Sequence, residues 1–264
     1  MSLDMGTLRR ADGSGRFAYG AQATVASIYG PAEVRIRDEL TDVAAFQLVV
    51  SPLEGGAGIP TKALAAELQK MFKAVLLLHH HPRTIIQLTV QTLSVPQVSN
   101  STLVMTINGR GQVPLQEPNS TQQRGAPPLL ALPDRPLLVA EIAASINGST
   151  LAILDAALPM RATVTAASCV VLHYDDAKRT RDVTGTQGPF CILVDPSPEE
   201  ESIARSCHVF AFAFSGQNAM QATPDEAPSA QLVFQQSWGN TSGEQRRRLY
   251  EAAEEASLSA LSYW

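Results

Sequence analysis

The chain has 264 residues, 45% of them hydrophobic and 17% charged, with a formal net charge of −5. That length and apolar content support a sizeable buried core, as one large domain or two small ones. The acidic balance excludes a protein that grips nucleic acid through bulk positive charge, and no run approaches the roughly 18 apolar residues of a bilayer-spanning helix.

Positive charge is instead local. Arg9, Arg10, Arg16, Arg35 and Arg37 crowd the N-terminal stretch, whereas "SPEEES" and "EAAEEA" make the C-terminal third acidic. The opening residues "MSLDMGTLRRADGSG" lack the apolar core of a secretory leader, so no secretory route is expected. In that setting Cys169, Cys191 and Cys207, an odd number at spacings unlike a zinc motif, read as reduced core thiols.

The first fifty residues read as strands: "GRFAYG", "TVASIYG", "AEVRIRDEL" with Val34 and Ile36 alternating against Arg35 and Arg37, and "AAFQLVVSP" with Phe46, Leu48 and Val50 on one side. Thr61 then stands where it can cap a helix reaching to about Leu78. Its residues Leu64, Leu68, Met71, Val75 and Leu78 fall at steps of four and three, one helical face. "HHHPR" follows at a helix-to-strand corner. Adjacent side chains at such a corner diverge, so His79, His80 and His81 are expected to close the helix and not to ligate metal. The next strand sets Ile86, Leu88 and Val90 against Gln87, Thr89 and Gln91.

Residues 95–136 hold seven of the chain's 17 prolines among Gly, Ser, Asn and Gln, and are expected to form a mobile insertion. "LLVAEIAASINGSTLAILDAAL" has only Glu141 and Asp155 as charges, which predicts a helix apolar on nearly all sides in the middle of the domain. "RATVTAASCVVLHY" and "PFCILVD" read as strands around a polar loop. "IARSCHVFAFAF" alternates with His208, Phe210, Phe212 and Phe214 on one face, and "AQLVFQQSW" is its expected hairpin partner; together they are expected to leave apolar edge for a neighbour. "GEQRRRLYEAAEEASLSAL" closes the chain as a helix. The order of elements predicts an α+β fold, with mixed sheets packed against buried helices.

Four stretches resemble the ribonuclease PH superfamily: "ADGSGRFAYGAQATVASIYGPAEV", "HHPRTIIQLTVQTL", "LAILDAALPMRA" and "CILVDPSPEEESIARSCHVFAFA". Within it, "YGPAEV" and "VDPSPEEE" are most similar to a ring subunit of the eukaryotic RNA exosome. The resemblance implies a single ribonuclease PH-like (ribosomal protein S5 domain 2-like) domain over residues 1–264. Active members are phosphorolytic 3′→5′ exoribonucleases, whose chemistry needs an anion pocket for phosphate and carboxylates for proton transfer or metal binding. Arg83 corresponds to the family's Pro-Arg arginine and is the leading candidate for RNA contact, with Arg35 and Arg37 as secondary candidates.

The family's phosphate loop falls where the insertion stands. "NGST" at 147–150 lies inside the predicted helix, where its amides are already used. The family's Glu-Asp pair falls at Glu200 and Glu201, and its second catalytic aspartate at Cys207. The degenerate positions Glu201 and Cys207 imply a non-catalytic ring subunit with no cofactor and no metal. Its implied partners are other ribonuclease PH-like ring chains (as a heterodimer within a six-membered ring), exosome cap proteins and RNA, with no membrane, in the nucleus, nucleolus and cytoplasm. Two alternatives stand beside it. One is a residual or metal-dependent nuclease using Asp195, Glu199, Glu200 and Glu201, although an acidic run in a loop is more often a solvated face; the other is a homo-oligomeric RNA-binding scaffold.

Overall fold

The computed structural model describes residues 1–20, 22–53, 56–95, 137–174, 177–178, 190–215 and 230–263. The expected insertion therefore lies outside the described residues apart from Val95, which is buried; so do most of the polar loop before Phe190 and the connection at 216–229.

Two sheets carry the fold. The first joins β1 (Ser2–Met5), β2 (Gly13–Tyr19), β3 (Gln22–Glu33), β4 (Ala45–Ser51) and β5 (Thr84–Ser94) in the order β1-β2-β3-β5-β4. Only β4 and β5 run parallel, because helix α1 (Ile59–Val75) is the crossover between them. The second sheet has the order β7-β6-β8-β9, all antiparallel, from β6 (Thr163–His173), β7 (Phe190–Val194), β8 (Ser206–Phe214) and β9 (Ala230–Gly239). Helices α2 (Val139–Asp155), α3 (Pro198–Ile203) and α4 (Gly243–Leu261) complete the described chain. The expected mixed α+β architecture is what the chain adopts.

Helix α2 lies between the sheets, touching β2, β3 and β5 on one side and β6 and β8 on the other. Nearly all of its side chains are buried, as its apolar composition predicts. Most of its few polar residues find partners inside the fold. The hydroxyls of Ser145, Ser149 and Thr150 donate to carbonyls four residues back, and Asn147 exchanges two hydrogen bonds with the backbone of Ala166 on β6. One apolar cluster runs from Phe46 and Leu48 through Leu68, Phe72, Ile142 and Ile146 to Val164 and Val209, so both sheets share a core. A second cluster packs Phe210, Phe212 and Phe214 against Leu249 and Ala253 of α4, on the other face of the second sheet. Among the described residues the first sheet has helices on one face. Its other face presents Ser27, Tyr29, Gln47, Val49, Gln87 and Thr89.

Contact between β2 and α2 is unusually close. A Cβ on Gly15 would sit 2.5 Å from Leu151 Cβ and 2.7 Å from Ala152 N; one on Gly13 would sit 2.5 Å from Ala156 N. Facing them, Gly148 lets Thr24 Oγ1 approach its own Cβ position to 3.2 Å, and Thr24 donates to Ala144 O at 3.0 Å. Ser14 N–H donates to Asp155 Oδ2 at 2.8 Å, so the Asp-Gly-Ser motif and the Leu-x-Asp-Ala motif lock each other.

Four expectations need correction. The predicted strand at 32–40 ends at Glu33. Its partner β5 starts at Thr84, opposite Glu33, so beyond that point the alternating residues have no ladder to join. Residues Ile36–Asp38 form a 3-10 turn instead, with Ile36 91% exposed. Thr61 is not the helix cap: Gly58 is, with proline in the first turn, and Thr61 Oγ1 donates to Gly58 O at 3.0 Å from the third helical position. Helix α1 stops at Val75, three residues early, because the chain beyond it pairs with Pro159–Arg161 through Leu77 N–H to Pro159 O and Arg161 N–H to Val75 O. Finally, β8 is not an edge. It is flanked by β6 and β9 and buried almost throughout, which leaves β9 to end the sheet with Trp238 43% exposed.

Gly15→Ala tests the β2–α2 contact. Urea unfolding should show a loss of about 3 kcal/mol, because the clash is with helix backbone and the neighbouring Cβ, neither of which can swing away. Gly243→Ala, at the exposed start of α4 with nothing near its Cβ position, should be neutral or slightly stabilising. Equal effects at the two positions would contradict this packing.

Candidate functional site

The residues singled out in the sequence occupy two separate places. The first is the N-terminus of α2. Helix α3 presents Glu201 there, and its carboxylate accepts the Val139 N–H with both oxygens at 3.2 Å. Glu141, one turn into α2, is also buried and accepts from Thr92 Oγ1 on β5 at 3.0 Å. Burial pushes Glu201 up to about 7, the Val139 N–H pulls against this, and Glu141 adds to the rise. Cys207, at the start of β8, donates its thiol toward the Glu201 carbonyl oxygen at 3.8 Å. Burial first, then Glu201, pushes that thiol up to about 12, so it stays neutral at physiological pH.

The acidic run is therefore not a solvated loop. Glu200 and Glu201 are 1% and 5% exposed on a short helix. Ser197 caps that helix, and Glu200 returns a hydrogen bond to the Ser197 N–H at 2.7 Å. Asp195 accepts from Ser168 Oγ at 3.2 Å, and Glu199 is exposed at the first turn. Three of the four carboxylates are thus engaged with different partners while Glu199 faces outward, and among the described residues no three His, Cys, Asp or Glu side chains form a metal-holding group.

The N–H of Val139 is the kind of donor that holds a phosphate at a helix N-terminus. Here the protein's own carboxylate has taken it. Among the described residues Glu201 has no ion-pair partner, and Cys207 supplies neither charge nor an oxygen ligand.

The second place is the far end of the same strand. Arg83 precedes β5, with φ of 59° and its N–H bonded to Leu40 O at 3.2 Å. Its guanidinium pairs with Glu39 at 3.3 Å while remaining 69% exposed. Arg35 caps the 3-10 turn just before Leu40 and Arg37 lies within it, both exposed, with Arg37 at 3.5 Å from Asp38. The structure thus gathers the three candidate arginines at one corner. The histidines shape that corner: Leu78–His80 is a 3-10 turn, His79 and His80 are exposed, and Thr84 Oγ1 bonds to His81 O at 2.7 Å. The nine residue steps from Arg83 to Thr92 span about 30 Å of strand, so Arg83 and Glu201 do not belong to one reaction site.

Sequence reasoning missed Glu141 and Thr92 as members of the α2 cluster. A signal was present, since Glu141 is one of only two charges in an otherwise apolar helix.

The family described as "3' exoribonuclease family, domain 1" matches residues 1–159, more than half of the chain, and the chain belongs to that family. Among curated proteins, "Exosome complex component rrp46" of Schizosaccharomyces pombe is 30% identical over 105 residues, 40% of this chain and 46% of that protein. "Exosome complex component RRP46" of Saccharomyces cerevisiae is 23% identical over 214 residues, covering 81% and 74%. "Exosome complex exonuclease RRP46 homolog" of rice is 30% identical over 86 residues, 33% of this chain and 36% of that protein. The matched stretch thus spans about half or less of the Schizosaccharomyces pombe and rice relatives and about three quarters of the Saccharomyces cerevisiae one. The crystal structure of rice Rrp46 superimposes with a TM-score of 0.65 at 19% identity, over 99% of this chain and 90% of the other, a likeness of fold.

Glu201 gives a pH signature with a definite sign. Its ordinary value of 4.5 applies to the unfolded chain, and about 7 to the folded one. Between them the folded state holds a proton that the unfolded state has released, so this group's contribution to stability is present below about pH 4.5 and is lost as pH rises through about 7. Glu201→Gln should remove that loss and keep an acceptor for Val139 N–H. Relative to the parent, the variant should gain about 2–3 kcal/mol between pH 5 and pH 8 in urea unfolding. His208 contributes the opposite slope, because burial and then Arg246 lower it to about 4, but it is common to both proteins and cancels in the difference. A difference that stays flat with pH would show that Glu201 is not buried at the helix end.

Proposed function

We propose that this chain is a non-catalytic ring subunit of the RNA exosome, a single ribonuclease PH-like domain that serves 3′→5′ RNA degradation and processing as wall and interface. The observation that carries the non-catalytic reading is the Glu201 carboxylate on the Val139 N–H. It fills the helix N-terminus on which an attacking phosphate would be held, and a second anion there would be repelled by a carboxylate that has no ion-pair partner among the described residues. Cys207 strengthens it, being a neutral thiol where active members of the family have an aspartate. The exosome assignment draws on the family and on the names of the relatives.

The assembly supplies the partners in this reading. Other ribonuclease PH-like chains form the ring, cap proteins sit above it, RNA passes through, and the complex works in nucleus, nucleolus and cytoplasm. Edge strand β9, with exposed Trp238, is a surface on which a neighbouring chain can add its own strands. Arg83, Arg35 and Arg37 give weak, salt-sensitive contact with RNA backbone, with affinity gathered over the whole ring.

Two measurements test this. Pure protein incubated with end-labelled RNA, phosphate and magnesium should release no nucleoside diphosphate; phosphate-dependent product above a Glu201→Gln control would restore the enzyme reading that the rice relative's name suggests. Co-expression with other ribonuclease PH-like chains should give a stable heterodimer by size-exclusion chromatography with light scattering. One tight symmetric homodimer that ignores those chains would instead favour the independent RNA-binding scaffold.

A further inference from the structure

The face of the first sheet opposite α1 and α2 holds a cleft of about 480 Å³. Arg9 and Arg10 line it from the loop between β1 and β2, and Ser27, Tyr29, Gln87 and Thr89 from β3 and β5. Its volume falls within the range of clefts that take small organic ligands. Tyr29 is 56% exposed, its ring open on a face whose neighbours are mostly polar.

Neither Arg9, Arg10 nor the Tyr29 hydroxyl has an ion-pair or hydrogen-bond partner among the described residues; Arg35, Arg161 and Arg246 are unpaired there as well, but Arg9 and Arg10 stand side by side and line a cleft. In a chain of net charge −5, two adjacent unpaired arginines beside an exposed ring call for a ligand.

The loop that carries them is held in place. Asp12 N–H donates to Ile28 O at 2.9 Å, and Gly30 N–H donates to Asp12 Oδ2 at 2.8 Å, on either side of Tyr29. Gly6 N–H and Leu8 N–H donate to the backbone and hydroxyl oxygens of Ser14 at 2.9 and 3.0 Å. The arginine backbone is therefore tied to the strand that carries the ring, so the ordering cost left to binding is that of the two arginine side chains.

The three chemistries present are a flat aromatic face, two planar cations and an amide. Gln87 Nε2 donates to Gln47 Oε1 at 3.2 Å, which leaves the Gln87 carbonyl oxygen as an acceptor. Guanidinium groups take phosphate oxygens in pairs, an aromatic ring stacks on any base, and the amide oxygen accepts from a base edge. A phosphopeptide would use the arginines and leave the ring and amide without function. Register places Tyr29 opposite Gln87 and Glu33 opposite Thr84, so Arg83 stands only about 13 Å along β5 from the cleft, on the path of the same RNA backbone.

We propose that this cleft binds one nucleotide of single-stranded RNA, its base stacked on Tyr29 and its flanking phosphates on Arg9 and Arg10. The proposal rests on the ring-subunit reading only for the supply of RNA.

The test is fluorescence anisotropy of the full chain with a short labelled oligouridine, over a salt series. Tyr29→Ala should weaken binding about tenfold, and Tyr29→Phe should retain it, since stacking survives loss of the hydroxyl. Arg9→Ala with Arg10→Ala should lower the slope of log affinity against log salt by about 1.4, from two phosphates on a single strand. All these side chains are exposed or unpartnered, so thermal unfolding should be unchanged and the loss cannot come from misfolding. Binding indifferent to Tyr29→Ala overturns the proposal, and if that variant instead fails to join a ring chain on co-expression, the face is a protein interface. Weakening by Arg83→Ala alone also overturns the cleft while leaving RNA contact at the corner. A chain that joins its ring partners but binds no RNA sinks the cleft and spares the ring reading. One that binds RNA through Tyr29 yet joins no ring chain does the reverse.

Discussion

The rest of the structure depends on how closely β2 can lie on α2. Gly13 and Gly15 remove the side chains that would hold strand and helix apart, and Gly148 does the same from the helix side. With the gap closed, Thr24 reaches Ala144 O and Ser14 reaches Asp155. The helix is thereby fixed in depth and rotation, which decides where its N-terminus meets α3 and how Asn147 meets β6. An alanine in the strand would push the helix away by more than a hydrogen bond tolerates.

That placement also decides what meets the N-terminus of α2. Val139 N–H, the donor of a helix N-terminus, comes to rest on Glu201. A carboxylate that is buried, beside Glu141 and without an ion-pair partner among the described residues is costly as an anion, which is why its proton is held toward neutral pH. Cys207 beside it avoids a third buried negative charge. A neutral thiol at that position is what the surrounding electrostatics favour beside two buried carboxylates.

Much of this was legible in the sequence, and the gaps have a common cause. Ile86, Leu88 and Val90, the Phe210–Phe214 alternation and the all-apolar helix around Asn147 are local patterns that the packing honours. Alternation of Val34 and Ile36 is equally clear, yet no strand stands beside them, and pairing is a non-local fact. Glu200 and Glu201 look solvated in a run of acids because their burial depends on a helix end 62 residues away from Glu201. Val75 ends its helix for a similar reason, since Pro159–Arg161 competes for its backbone. Gly58 followed by Ile59 and Pro60 was the better helix-start signal than Thr61, because proline costs nothing where no amide bond is needed.

A helix shared by two sheets leaves neither half a folded state of its own. Stripping away either sheet would return Ile142, Ile146, Ile153 or Leu151 to water, at about 1.5–3 kcal/mol for each side chain. Opening therefore proceeds as one cooperative event across the sheets, and the slowest-exchanging amides belong to α2 and the strands that clasp it. Any free energy a neighbour or ligand supplies at one sheet is felt as protection at the other, with no change of shape passing between them.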